Sequence, residues 1–263
     1  MSKDALPRDI KASERLIFAL DVPNVQDAMA LVGELTPTVK YFKVGLELFL
    51  SGGFDVIHQI GRAGGKVFLD LKMLDIPATV RNALKVIDTQ HETIEFATIH
   101  VLNKGFGDIL KNSEISERLK ILVVTLLTSM DDQDLAETGA GKSVSETVDF
   151  LTGRALGLGC HGVIASGLEA RSLREKHGED FLIVTPGIRP SGTEVKNDDQ
   201  KRVSTPREAI LHGADYLVVG RPIRDAEHPL EAAEKIQQEI QSALDELKSP
   251  GNPGNNPRLS AGG

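Results

Sequence analysis

Cysteine is nearly absent from this chain: Cys160 is the only one in 263 residues. An internal disulfide and a cysteine-based zinc cluster are thereby excluded, and a reducing compartment is the natural setting. Positive charge is also short, with 30 Lys and Arg against 38 Asp and Glu and a formal net charge of −8. A nucleic-acid polymer or an anionic membrane would need a basic face that these totals do not supply, so neither is expected as a partner, and any phosphate site must be local. Long apolar runs are missing too. The stretch "ILVVTLLT" is far too short to span a bilayer, and the opening "MSKDALPRDIKASER" is too polar for a signal peptide. A soluble, cytoplasmic protein is expected. There is no Walker A loop, no paired-histidine metal site and no convincing dinucleotide fingerprint, so no cofactor and no metal are expected. No long Pro/Gly/Ser linker and no internal repeat divide the chain.

What is present is enough apolar sequence, 40% of residues, for one sizeable core. Eight β-branched runs recur: "RLIFALD", "VKYFKVG", "KVFLDLK", "TIEFATIH", "KILVVTLLT", "HGVIAS", "FLIVTPG" and "ADYLVVG". Each is followed by a helix-like or loop segment, the pattern of repeated βα units. Their near-continuous apolar character fits parallel strands buried on both faces, and neither end of the series reads as a charged edge strand. An α/β fold, a (β/α)8 TIM barrel over residues 1–247, is the expectation. The end, "KSPGNPGNNPRLSAGG", is too rich in Gly, Pro and Asn to bury apolar area, and 248–263 is expected to be a disordered tail.

A barrel makes a positional forecast, because catalytic groups gather where strands end and βα loops begin. Asp21 ends the first run, Lys43 lies near the end of the second, Asp70 and Lys72 end the third and His100 the fourth. Thr128 and Ser129 follow the fifth, and Gly220 and Arg221 the eighth. Within "FLDLKMLDIPAT", Asp70 and Lys72 are two apart on a strand and should point to one side, with Leu71 on the other. Asp75 lies past the strand end, and Pro77 suits the first turn of a helix. With Asp21 and Lys43 at the same mouth, opposite charges would meet in a confined polar pocket. Such a cluster is either an ion-pair ladder within the barrel or a functional site; the cost of desolvating several ions favours the second. A lysine between two aspartates is expected to remain an ammonium, which makes Lys72 an acid and not a nucleophile. "TPGIRP" and "VVGRPI" follow the seventh and eighth runs, the usual phosphate corner of this architecture. There Gly187 and Gly220 allow close backbone approach and Arg189 and Arg221 supply forked donors, so a phosphorylated small molecule is the expected ligand.

Together these segments resemble the orotidine 5′-phosphate decarboxylase family in its bacterial form. "DLKMLDIPAT" matches the Asp-x-Lys-x-x-Asp-Ile-Pro-x-Thr signature, and "ALD", "FKVG", "LTS", "TPGIRP", "DDQKR" and "VVGRPI" follow in the family's order. The resemblance implies a homodimer with shared active sites, acting on orotidine 5′-phosphate without a cofactor to give UMP in de novo pyrimidine synthesis. It implies that Asp21 binds the ribose or base edge and that Lys43 contacts the ribose and the charge network. Asp70 would lie beside the substrate carboxylate, Lys72 would protonate a C6 vinyl carbanion, and Asp75 and Thr79 would reach into the neighbouring subunit's site. Thr128, or alternatively Ser129, would read the pyrimidine amide, Gln200 would bridge base and phosphate, and Gly220, Arg221 and Arg189 would hold the phosphate.

Three stretches depart from the family pattern. The loop from Arg189 to Gln200 is longer, "VLNKG" follows His100 where a small-residue pair is common, and His161 stands where an aspartate is frequent. Cys160 and His161 are taken as packing residues, and His100 as a structural residue of the barrel mouth. Two other readings stay open. A magnesium-dependent sugar-phosphate synthase or decarboxylase also uses an Asp-x-Lys-x-x-Asp strand, and a non-catalytic nucleotide sensor could share the barrel.

Overall fold

The computed structural model describes residues 10–90, 92–103, 105–112, 114–191 and 202–249. Gln200 and the tail from 250 onward therefore lie outside the described residues.

Eight parallel strands close into a barrel in sequence order. They are β1 (Leu16–Ala19), β2 (Tyr41–Gly45), β3 (Lys66–Met73), β4 (Ile94–His100), β5 (Lys120–Val124), β6 (Gly162–Ile164), β7 (Leu182–Thr185) and β8 (Tyr216–Val219). Each falls within one of the eight β-branched runs, apart from Met73 at the end of β3. β1 pairs with both β2 and β8, which removes the sheet's edges. Helices connect successive strands, α1 (Val25–Leu35), α2 (Leu46–Arg62), α3 (Pro77–Asp88), α4 (Phe106–Asn112), α5 (Asp132–Glu137), α6 (Val144–Gly157), α7 (Gly167–His177) and α8 (Pro206–Leu211), and two more follow β8, α9 (Arg221–Arg224) and α10 (Pro229–Lys248).

Local chemistry sets several of these starts. Asn24 accepts from the Asp27 N–H at the head of α1, and reciprocal capping boxes open α6 (Ser143, Glu146), α7 (Ser166, Glu169) and α8 (Thr205, Glu208). Pro77 occupies the first turn of α3, as expected from its fixed φ and missing donor.

Strand alternation divides the apolar residues into two sets. Outward-facing Leu16, Phe18, Phe42, Val67, Leu69 and Ala97 join the helices in the larger core. Inward-facing Ile17, Tyr41, Phe68, Phe96, Leu122, Leu182 and Tyr216 fill the barrel. Tyr41, Phe96 and Tyr216 meet in tilted and edge-to-face pairs with centroids 5.1 to 5.7 Å apart, sealing the end where the strands begin. The inward positions one or two pleats further along, at strand C-termini, are where charge replaces hydrocarbon.

One departure from strand regularity bears on function. β3 and β4 pair as Leu69↔Ala97 and then Met73↔Ile99, so four residues of β3 span two of β4. Lys72 takes φ +49°, one of two positive values at non-glycine positions among the described residues. Asp70 and Lys72 are thus not on a regular pleat as alternation predicts: a bulge brings their side chains together.

Candidate active site

The inward side chains at the mouth form one chain of alternating charge. Lys43 Nζ lies 2.8 Å from Asp21 Oδ1 and 3.8 Å from Asp70 Oδ2, and Lys72 Nζ lies 2.7 Å from the same Asp70 oxygen. Asp70 and Lys43 are the buried links, their side chains 10% and 12% exposed, whereas Asp21 and Lys72 open toward solvent. Burial alone would pull Lys43 down, but Asp70 and Asp21 more than reverse it and hold the ammonium above its ordinary value. Burial would likewise push Asp70 up. Lys43 and Lys72, with hydrogen bonds from Lys72 and Thr98, hold it below the usual carboxylate range. Both buried members of the chain thus stay ionised at neutral pH.

These residues border a cavity of about 440 Å³, a size suited to a small molecule. Its floor is the apolar layer Ala19, Phe68, Val124, Ile164 and Val218. Thr128 and Ser129 stand on the wall after β5, Gly187 and Arg189 after β7, and Gly220, Arg221 and Arg224 after β8. Gly187 has φ +76°, a left-handed turn that favours glycine beside the cavity. Five cationic side chains (Lys43, Lys72, Arg189, Arg221, Arg224) and two carboxylates (Asp21, Asp70) line it, in a chain of net charge −8. The cavity is therefore locally an anion site, and its cations divide between the β2–β3 side and the β7–β8 side.

Of the residues singled out from the sequence, Asp21, Lys43, Asp70, Lys72, Thr128, Ser129, Arg189, Gly220 and Arg221 meet at this cavity. Asp75 and Thr79 do not. Both are exposed and neither borders its own chain's cavity, Asp75 lying just before α3 and Thr79 within it. Gln200 falls outside the described residues. His100 sits half-buried at the end of β4, its Nδ1 accepting from the Leu102 N–H at 3.3 Å, and burial pulls its pKa below the ordinary histidine value. Cys160 and His161 lie at the opposite end of the barrel, before β6. Cys160 packs against the outer core, and His161 Nδ1 accepts from the Ile121 N–H at 3.0 Å.

Four further residues support the mouth and escaped the sequence reading. Thr98 donates to Asp70 Oδ1 at 2.9 Å and accepts from the Lys72 N–H at 2.9 Å. Asn103, fully buried, donates to Met73 O and His100 O and accepts from the Asp75 N–H at 3.0 Å. Arg224 joins the cavity wall and donates to Asp21 O at 2.8 Å. Arg202 pairs with buried Glu169 and donates to the Leu127 and Thr128 carbonyls, fastening the loop after β5. Thr98 had a signal, since it alternates with Phe96 and His100 on the inward face of β4. The partners of the other three are set by tertiary contacts.

The sequence pattern of the orotidine 5′-phosphate decarboxylase / HUMPS family matches residues 14–236. An orotidine 5′-phosphate decarboxylase of Methylococcus capsulatus is 44% identical over 239 residues, covering 90% of this chain and 96% of that one. One from Nitrobacter winogradskyi is 45% identical over 236 residues, covering 89% and 95%. Among solved structures, the orotidine 5′-phosphate decarboxylase of Lactobacillus acidophilus superposes with a TM-score of 0.73 at 38% identity, over 86% of this chain and 99% of that one. With barrel, cavity and sequence in agreement along most of its length, the chain belongs to the orotidine 5′-phosphate decarboxylase / HUMPS family.

Proposed function

We propose that this chain converts orotidine 5′-phosphate to UMP and CO2 in de novo pyrimidine synthesis, as a cytoplasmic homodimer that needs no cofactor. The observation that carries the reading is the Asp21–Lys43–Asp70–Lys72 chain, set in the same cavity as Arg189 and Arg221. The substrate is an anion at both ends, with a carboxylate on the pyrimidine and a phosphate on the ribose. The cavity offers cations in two separate groups to match.

In this reading Gly220, Arg221 and Arg189 hold the phosphate, with Gln200 bridging it to the base. Thr128, or Ser129, reads the pyrimidine amide, and Asp21 and Lys43 take the ribose. The C6 carboxylate then lies against Asp70 and Lys72. Breaking the C6–carboxylate bond releases CO2 and leaves its electron pair at C6, where the ring offers no conventional sink. The Lys72 ammonium stabilises that charge and then gives C6 its proton. Electrostatic preorganisation of this kind must supply most of a barrier reduction that across enzymes is about 8 to 23 kcal/mol. The buried Lys43 and Asp70 fix the field before substrate arrives. Asp70 also disfavours the substrate carboxylate by proximity, a smaller contribution than stabilisation of the transition state. Phosphate binding, remote from C6, helps order the loops and close the site.

Asp75 and Thr79 complete a neighbouring subunit's site. Their exposure on their own chain, beside exposed Leu74 (56%), Ile76 (65%) and Leu102 (60%), supports that assignment.

The test is direct: the loss of orotidine 5′-phosphate is followed by ultraviolet absorbance, with and without EDTA. Turnover indifferent to EDTA is expected. No turnover would sink the reading and leave the magnesium-dependent enediolate chemistry that shares the Asp-x-Lys-x-x-Asp strand, and turnover abolished by EDTA would overturn the claim that no metal is needed.

A further inference from the structure

We propose that Thr98 is a positioning residue that holds the Asp70 carboxylate and the Lys72 backbone in mutual register through one buried hydroxyl. The proposal rests on the decarboxylase reading of the cavity and names a residue on which that chemistry depends without its touching the ligand.

Thr98 is wholly buried on the inward face of β4 and does not line the cavity. A threonine hydroxyl has one proton to give and lone pairs to accept with. Here the proton goes to Asp70 Oδ1 at 2.9 Å, and a lone pair receives the Lys72 N–H at 2.9 Å. The two oxygens of Asp70 are thereby assigned different tasks. Oδ1 faces the hydroxyl, while Oδ2 faces both ammoniums, Lys72 at 2.7 Å and Lys43 at 3.8 Å. A partial turn of the carboxylate about its Cβ–Cγ bond would draw an oxygen away from both lysines. The hydroxyl opposes that turn.

The second bond addresses the backbone. Between the pairs Leu69↔Ala97 and Met73↔Ile99 the β3–β4 ladder is interrupted. Lys72 sits inside that interruption at φ +49°, a region costly for a residue with a Cβ. An N–H released from the ladder in a desolvated place needs another acceptor, and Thr98 Oγ1 supplies it. The same oxygen therefore anchors the Lys72 main chain and the carboxylate its side chain addresses. Without it, the strand is free to relax toward an ordinary pleat and the ammonium moves away from the reacting carbon.

Because Thr98 acts on geometry and not on ligand affinity, its loss should lower kcat with little change in binding. Thr98→Val keeps the shape and removes the hydroxyl, whereas Thr98→Ser keeps the hydroxyl and removes a methyl group. The valine variant should lose about 10- to 100-fold in kcat, the scale of a hydrogen bond to a charged group, with its UMP dissociation constant within about threefold of wild type. The serine variant should recover kcat to within about threefold of wild type. Circular-dichroism melts accompany the kinetics. A folded valine variant with wild-type kcat would overturn the proposal, as would a serine variant as slow as valine, or a parallel loss of kcat and UMP affinity. Should valine fail to fold, the Thr98→Ser and Thr98→Ala pair carries the same comparison; a chain that folds only with a hydroxyl at this position would make the role one of stability and overturn it too. Wild-type turnover measured alongside separates the claims. Its absence removes the decarboxylase reading, whereas its presence with an unaltered valine variant removes Thr98 alone.

Discussion

Lys72 joins the strained backbone of β3 to the charge network, and its ammonium is the group assigned to C6. Removing it should affect the transition state far more than the bound ground state, because the residues proposed to hold the phosphate and base stand on the walls after β5, β7 and β8. Lys72→Ala should abolish measurable decarboxylation while leaving UMP affinity within about an order of magnitude of wild type. Substantial residual turnover would take the proton-donor role away from Lys72. His161, at the opposite end of the barrel, makes a different residue-scale expectation. Burial, helped by Lys120, lowers its pKa from 6.5 to about 4, and its Nδ1 already accepts from the Ile121 N–H. A folded value below the unfolded one means that the unfolded chain binds the extra proton first. The stabilisation is therefore complete above the unfolded value and is lost as pH falls toward the folded one, at about 1.4 kcal/mol per pH unit across that window. His161→Asn keeps an acceptor near the Nδ1 position and cannot titrate. Urea-unfolding free energies at pH 7 and pH 5 should differ less for this variant than for wild type; an equal difference would mean that His161 does not govern that slope.

At the scale of elements, β3 and its continuation into α3 carry much of the proposed chemistry, and β4 with its following turn holds them in place. Asn103 is the second fastening. Its amide donates to Met73 O and His100 O and its carbonyl accepts from the Asp75 N–H, so one side chain ties the end of β3, the end of β4 and the approach to α3 together. Asn103→Ala leaves three backbone groups to find other partners. It should cost about 1–3 kcal/mol, and Asn103→Asp, which turns a carboxylate oxygen toward two carbonyls, at least as much. For a chain of this size a melting point lower by a few degrees per kcal/mol is expected, and unchanged melts would show that solvent satisfies these groups. The same elements mark what could be read from sequence. All eight strands were legible because each is a short β-branched run, and their order followed from the βα repeat. The site was legible where it depends on strand ends: Asp21, Lys43, Asp70 and Lys72 stand where the barrel mouth requires. The bulge in β3 was not. A two-residue excess over β4 is a matter of register between strands, and neither strand's own pattern encodes it. Asn103, Arg202 and Arg224 were missed for a related reason, since polar residues after a strand read as ordinary loop until the carbonyls they satisfy are known.

At the scale of the whole molecule, Asp75 raises the question of how many chains make one site. The DIPAT segment enters α3 at Pro77, and neither Asp75 nor Thr79 borders the cavity of its own chain. If the segment crosses a two-fold axis, each site takes Asp70 and Lys72 from one subunit and Asp75 from the other. Lys72→Ala and Asp75→Ala should each be inactive as pure dimers, because every site then carries one lesion. Mixing them and allowing subunits to exchange changes the arithmetic. In a mixed dimer one site collects both lesions, while the other receives Lys72 from the Asp75→Ala subunit and Asp75 from the Lys72→Ala subunit. That second site is wild type. Random pairing makes about half the dimers mixed, each with one good site of two, so activity should return to about a quarter of the wild-type value if sites act independently. A tagged-subunit pull-down verifies exchange before the assay. Exchange without recovered activity would show that Asp75 serves its own chain, and that the DIPAT segment must fold back toward its own cavity for catalysis.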